Sequence, residues 1–252
     1  MNLLNSIKKD FNTMTWVLIP VAIAINVVIG QIVFLLKLPV YLDSIGTMLV
    51  AVVCGPWAGA LTGTLSNTIW GLAIDPNALP WWPVALLIGF VTGWCARGGL
   101  FRNTWKVLIT GFIVALVAAL SSAVVNMLLI GGITASGSSL ITAYLLQTGR
   151  SMIESVLSTN FLVEPVDKIS TALLAFAIIR GLSVRYLARF PRPENAMVEK
   201  DDRTALFIGV GVFVVYVLLV GSLIDITFLW VGLVVAAILV VATVLISVPK
   251  KV

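Results

Sequence analysis

Long apolar runs separated by short polar breaks cover almost the whole chain. The first run predicts a helix over 15–36, its apolar surface interrupted by Asn26, Gly30 and Gln31. Unpartnered polar groups are costly in hydrocarbon, so these three are expected to face protein rather than lipid. Residues 37–43 make a break, and the next run, 42–54, has only about 13 residues against the roughly 20 that a membrane span needs. A turn at Gly55-Pro56 leads into a third helix over 57–74. It carries small residues every fourth position, Gly55, Gly59 and Gly63, then Asn67 and Gly71. In a membrane that spacing lets helix backbones approach closely.

The segment DPNALPWWP, 75–83, reads as a rigid loop, and the fourth helix, 84–96, is short again. Short or interrupted apolar segments point to binding sites in transporters. A fifth helix is expected over 107–130, with Ser121, Ser122 and Asn126 in its distal half. The glycine- and serine-rich GGITASGSS follows. Residues 141–159 are amphipathic and predict an external pair of capping helices, with Arg150 and Glu154 as an i, i+4 pair. A sixth helix is expected to start after Glu164-Pro165 and to reach about 179, with Asp167 and Lys168 at its start. Two more apolar helices are expected within 205–252.

Composition fits a membrane. The chain is 60% hydrophobic and 11% charged, where a soluble domain has about 25% charged residues, and its mean hydropathy is +1.10. The first apolar run is too long for a signal-peptide core and reads as a retained helix. With the N-terminus inside, all of the 16 basic residues except Lys37, Arg150 and Lys168 fall on the inner side. This is the bias that orients membrane proteins. It explains the net charge of +5 without nucleic acid. The fold class expected is therefore an all-α polytopic membrane protein, multi-pass in the cell membrane with both termini cytoplasmic.

The chemistry on offer is narrow. There is no histidine, which excludes histidine metal sites, histidine proton relays and Ser-His-Asp catalysis. Cys54 and Cys95 match no metal spacing and read as packing residues. No phosphate-binding G-x-x-x-x-G-K-[ST] is present. No metal, no cofactor and no enzymatic activity are expected. Candidate solute contacts gather on the outer side: Asp43, Thr47, Asn67, Trp70, Trp81, Asn126, Arg150 and Asp167. Each has a plainer alternative. Asp43 can cap a helix, Asn67 and Asn126 can tie helices together, and Trp70 and Trp81 can anchor at the interface. Arg150 can pair with Glu154, and Asp167 can sit in a first turn.

The stretches KLPVYLDSIGT, GPWAGALTGTLSNTIWGL, GGITASGSSLITAYLL and EPVDKIS together resemble the substrate-binding S component of energy-coupling factor (ECF) transporters, over roughly 12–190. The resemblance implies a six-helix module at 1–190 that captures a vitamin or similar micronutrient from outside. It implies a membrane coupling subunit and two cytoplasmic ATPases as partners. It also implies a docking surface on the first helix, where the nearest match to the family's small-residue pattern is Ala22, Asn26 and Gly30. Residues 191–204 would be a basic cytoplasmic linker and 205–252 an added two-helix hairpin. The competing function is a membrane ligand sensor or assembly module without transport activity.

Overall fold

In the computed structural model, which describes residues 3–197, every regular element is helical. The expected hairpin at 205–252 and the second half of the linker before it, 198–204, lie outside the described residues. A short α1 (Leu3–Lys9) leads to α2 (Thr13–Leu35), opened by a capping box in which Asn12 and Thr15 each satisfy the other's backbone N–H. Helix α3 (Ile45–Val53) is only nine residues long and buried throughout. Gly55 follows at φ +122°, where a side chain is strained and a Cβ would strike the Asp10 carboxylate. Pro56 then opens α4 (Pro56–Ala73) at the position where its missing N–H is harmless.

A 3₁₀ turn (Pro76–Trp81), capped by Asp75, runs straight into α5 (Trp82–Arg97). The proline-rich loop and the short fourth helix expected from sequence are thus one continuous helical stretch. Asn103 caps α6 (Thr104–Val125), which widens into a π-helical turn (Asn126–Ile130) and stops at left-handed Gly131. Helix α7 (Ser139–Gln147) is followed by α8 (Met152–Gly181), then by α9 (Val184–Leu187) and a 3₁₀ turn (Pro193–Ala196).

Helix α8 corrects two expectations. It starts at a capping box between Ser151 and Glu154, so the second amphipathic capping helix is its first third. It then continues through Pro165 for 30 residues, so Glu164, Asp167 and Lys168 are mid-helix and buried, not at a helix start. Proline removes only one backbone donor, and packing on α6 and α3 holds the rest of the helix. Glu154 uses its carboxylate on the Ser151 N–H at 3.2 Å rather than on Arg150.

Three helical stretches, Thr13–Leu35, Pro76–Arg97 and Thr104–Ile130, are long and apolar enough to cross a membrane. Their outward faces agree. Val17, Val21, Val28 and Ile32 line one side of α2, each more than half exposed, and Phe112, Leu116, Leu120 and Val124 line α6. Apolar stripes of that length are costly in water.

The interior holds the polar residues instead. Asn26 donates to the hydroxyls of Thr47 (2.8 Å) and Ser66 (2.9 Å) and accepts from the Gly46 N–H (2.7 Å), which joins α2, α3 and α4. Gly59 and Gly63 of the small-residue ladder lie against the backbones of Gly89 and Ala85 in α5, too close for a Cβ. This interior also corrects the expected docking surface. Ala22 packs on Gly46, Asn26 is fully bonded within the protein, and Gly30 lies under the Trp70 ring. All three are buried, so none is open to a partner subunit.

Candidate functional site

The loop between α2 and α3 sits at one end of the packed helices and is fixed by a carboxylate from α8. Asp167 Oδ1 accepts the successive N–H groups of Tyr41 (2.8 Å) and Leu42 (2.7 Å). That grip accounts for Leu42 holding a left-handed φ of +52°, which non-glycine residues rarely adopt. Asp167 Oδ2 accepts from Lys168 Nζ at 2.5 Å.

Lys168 is the hub of a buried charge cluster. Its Nζ lies 3.5 Å from Glu164 Oε2 and 3.9 Å from Asp43 Oδ1. It also sits 5.6 Å from the centroid of the Tyr41 ring. Glu164 Oε1 accepts from Ser122 Oγ at 3.0 Å, while its Oε2 has no hydrogen-bond donor. Asp43 Oδ1 accepts from Ser44 Oγ at 2.9 Å. Burial pushes the Asp43 carboxyl above the ordinary carboxylate range, against the pull of Lys168.

These groups line a cavity of about 130 Å³, roughly ten times the space one water needs. One wall is aromatic, with Phe34, Tyr41, Trp70 and Trp81. The Trp70 ring is held by its Nε1–H donating to Gln31 Oε1 at 3.0 Å and by the absence of a side chain on Gly30. The lining also includes polar groups, Ser122 of α6, Asn126 of the π-helical turn, and Asn160, Glu164 and Lys168 of α8. The Asn126 Oδ1 is buried without a hydrogen-bond partner. Over the top runs the segment 134–139, whose hydroxyls bond to one another and to Tyr41.

Of the eight candidate contacts, Asp43, Asn67, Trp70, Trp81 and Asn126 line the cavity. The other three do not. Thr47 is committed to Asn26 in the α2–α3–α4 interface. Arg150 is exposed in the α7–α8 turn. Asp167 stands behind the cavity and holds its loop. Glu164, Lys168, Asn160, Ser122 and Tyr41 line the cavity as well and were not among the candidates. A spacing of four in Asn160, Glu164 and Lys168, matched by Ser122 and Asn126, puts each set on one helix face. That repeat, inside apolar sequence, was the available signal.

Charge is also concentrated at the opposite end. Asp10, fully buried, accepts from Arg97 Nη2 at 2.8 Å and from Arg192 Nε and Nη2 at 2.9 and 2.8 Å. It also accepts the Trp57 N–H at 3.1 Å. Among the described residues, no group of three or more His, Cys, Asp or Glu side chains is placed to hold a metal ion.

Comparison with models of known protein families, with curated proteins and with solved structures gives no match for this chain.

Proposed function

We propose that this chain is a membrane protein that captures a small polar solute, and that it serves as the substrate-specific subunit of an ATP-driven ECF-type importer. The observation that carries the reading is the cavity. It joins aromatic faces to buried polar atoms that lack a hydrogen-bond donor, Asn126 Oδ1 and Glu164 Oε2, the latter held only by the Lys168 amine at 3.5 Å. Native interiors rarely leave such atoms unpaired, and a mostly apolar pocket with a few placed polar groups is the usual form of a small-molecule site.

In this reading α2, α3, α4, α5, α6 and α8 are the six helices of the module. The N-terminus and the Asp10 cluster lie on the cytoplasmic side, in keeping with the basic residues near Lys8, Arg97 and Arg185. The cavity then opens to the outside. The chain carries no nucleotide-binding motif, so partner ATPases and a coupling subunit supply the energy. Since the Ala22, Asn26, Gly30 stripe is internal, the coupling subunit meets another face.

The test is a thermal-shift screen of the purified chain against water-soluble vitamins and their precursors. A ligand at a hundredfold excess over Kd stabilises by about 2.7 kcal/mol, and Asn126→Ala should abolish the shift. Copurification with ATPases supports import. Tight binding with no ATPase partner favours the sensor reading, and no shift in a folded protein refutes solute capture.

A further inference from the structure

The cavity has an electrostatic imbalance that bears on what it holds. Lys168 meets three carboxylates, those of Asp43, Glu164 and Asp167. Asp167 is satisfied by that amine and by two backbone N–H groups. Glu164 keeps a buried oxygen without a donor, although the residue is only 2% exposed. Asp75 also lines the cavity and adds no positive charge. Among the described residues Lys168 is the only cation in the lining. Lys37 is exposed and is tied to the Ala135 carbonyl at 2.7 Å, with its amine 4.5 Å from the centroid of the Phe34 ring. One amine thus faces three acids.

We infer that the solute is a single-ring compound bearing a positively charged nitrogen, seated with that nitrogen toward Glu164 and Asp43. The inference rests on the solute-capture reading and narrows it. An anion would meet excess negative charge and an amine already engaged by three carboxylates. A neutral alcohol would leave the acids to shed that charge by taking up protons, whereas a cation pairs with them in their ionised form. Aromatic faces at Tyr41, Trp70 and Trp81 add to the attraction for a cation. The size follows from volume. A cavity of about 150 Å³ accommodates benzene, and this one has about 130 Å³. A single ring fits within it.

Two series of equal-sized probes separate charge from shape. The first is benzylamine, benzyl alcohol and benzoate, in which only the substituent carries charge at neutral pH. The second is 3-(aminomethyl)pyridine, 3-(hydroxymethyl)pyridine and nicotinate. Each is titrated calorimetrically into the full chain in lipid nanodiscs. In at least one series the ammonium compound should bind tenfold or more tighter than its alcohol, with the carboxylate weakest. Glu164→Gln, which keeps an acceptor for Ser122, should weaken the ammonium compound at least tenfold and move the alcohol less than threefold. If Glu164→Gln does not fold, Asp43→Asn at the more open acid carries the same comparison.

Tighter or equal binding of an alcohol or carboxylate overturns the inference and leaves solute capture standing. An unchanged ammonium preference in the folded variant overturns it too. No binding by any of the six, in a chain with a cooperative melt, overturns the inference, and solute capture is then decided by the vitamin screen.

Discussion

Replacing Asp10 with asparagine keeps the shape of the side chain and deletes the charge that two arginines share. Arg192 has a side chain only 8% exposed and Arg97 one that is 23% exposed, so neither cation is free to turn to water. Removing one partner of a buried ion pair costs about 3–5 kcal/mol, mostly from the charge left behind. In a domain of this size that lowers the melting temperature by roughly 6–20 °C. The same carboxylate indirectly holds the segment after α8, because Arg192 also donates its backbone N–H to the Val53 carbonyl at 3.0 Å and Asn195 reaches that of Val52 at 3.2 Å. Asp10→Asn should therefore speed tryptic cleavage after the exposed Arg185 and Arg189. Thermal unfolding followed by tryptophan fluorescence and a timed digest measure the two effects. Adding Arg192→Gln to Asp10→Asn should destabilise by less than the sum of the single changes, because the two residues share one interaction. A melting temperature within about 3 °C of the parent's, equivalent to roughly 1 kcal/mol, together with an unchanged digest, would refute the argument.

Asp167→Ala removes the acceptor of the Tyr41 and Leu42 N–H groups without touching the cavity surface. It should weaken solute binding at least tenfold by calorimetry, and retained affinity would show that the loop is held by other means. Asp43→Asn removes a carboxylate whose charged form is disfavoured by burial. It should leave the melting temperature of the empty protein unchanged or higher while weakening the ammonium probes, and a lower melting temperature would contradict this. Asn26→Leu strands the buried Gly46 N–H, at about 1–3 kcal/mol, and crowds a packed interface. Thr47→Val deletes one hydroxyl from the same set and should cost about 1 kcal/mol, so yields of folded protein should rank Thr47→Val above Asn26→Leu. Gly63→Ala places a methyl group against the Ala85 carbonyl and should push α4 from α5, lowering the melting temperature, whereas Gly181→Ala meets open space and should not.

The helix boundary at Gly55-Pro56 was readable because local chemistry sets it, a left-handed glycine followed by a proline at a first turn, whereas the caps at Asn12 and Asn103 start α2 and α6 two and three residues ahead of the expected 15 and 107. The inward orientation of Asn26 was readable too, since an amide in an apolar run needs partners. Pro165 misled, because a proline reads as a boundary and only packing from α3 and α6 shows that this helix continues. Treating it as a start placed Asp167 and Lys168 at a helix end and left Glu164 out of the site. The small-residue match at Ala22, Asn26 and Gly30 is real as a stripe, but spacing alone does not say whether a stripe meets the same chain or another. The pairing of Asp10 with Arg192, 182 positions apart, leaves no local trace at all.

The roof of the cavity is a chain of hydroxyls, Tyr41 to Ser138 at 2.9 Å, Ser138 to Ser136 at 2.8 Å, Ser136 to Thr134 at 2.7 Å and Thr134 to Ser139 at 2.6 Å, and in every link either oxygen can donate. Each hydroxyl has one proton and two lone pairs, so the protons can run along the row in either direction with no heavy atom moving. A guest that offers a hydrogen to one end, or takes one from it, can be met by reversing that direction. The floor of the site, by contrast, is set by carboxylates that only accept when ionised. Tolerance toward the upper side of a guest and strictness toward its lower side then coexist in one small space. If the proposed solute is bound, compounds that share a charged nitrogen but differ in the substituents beneath the roof become interchangeable, and selectivity resides at Glu164 and Asp43 rather than in the serine-rich segment above them.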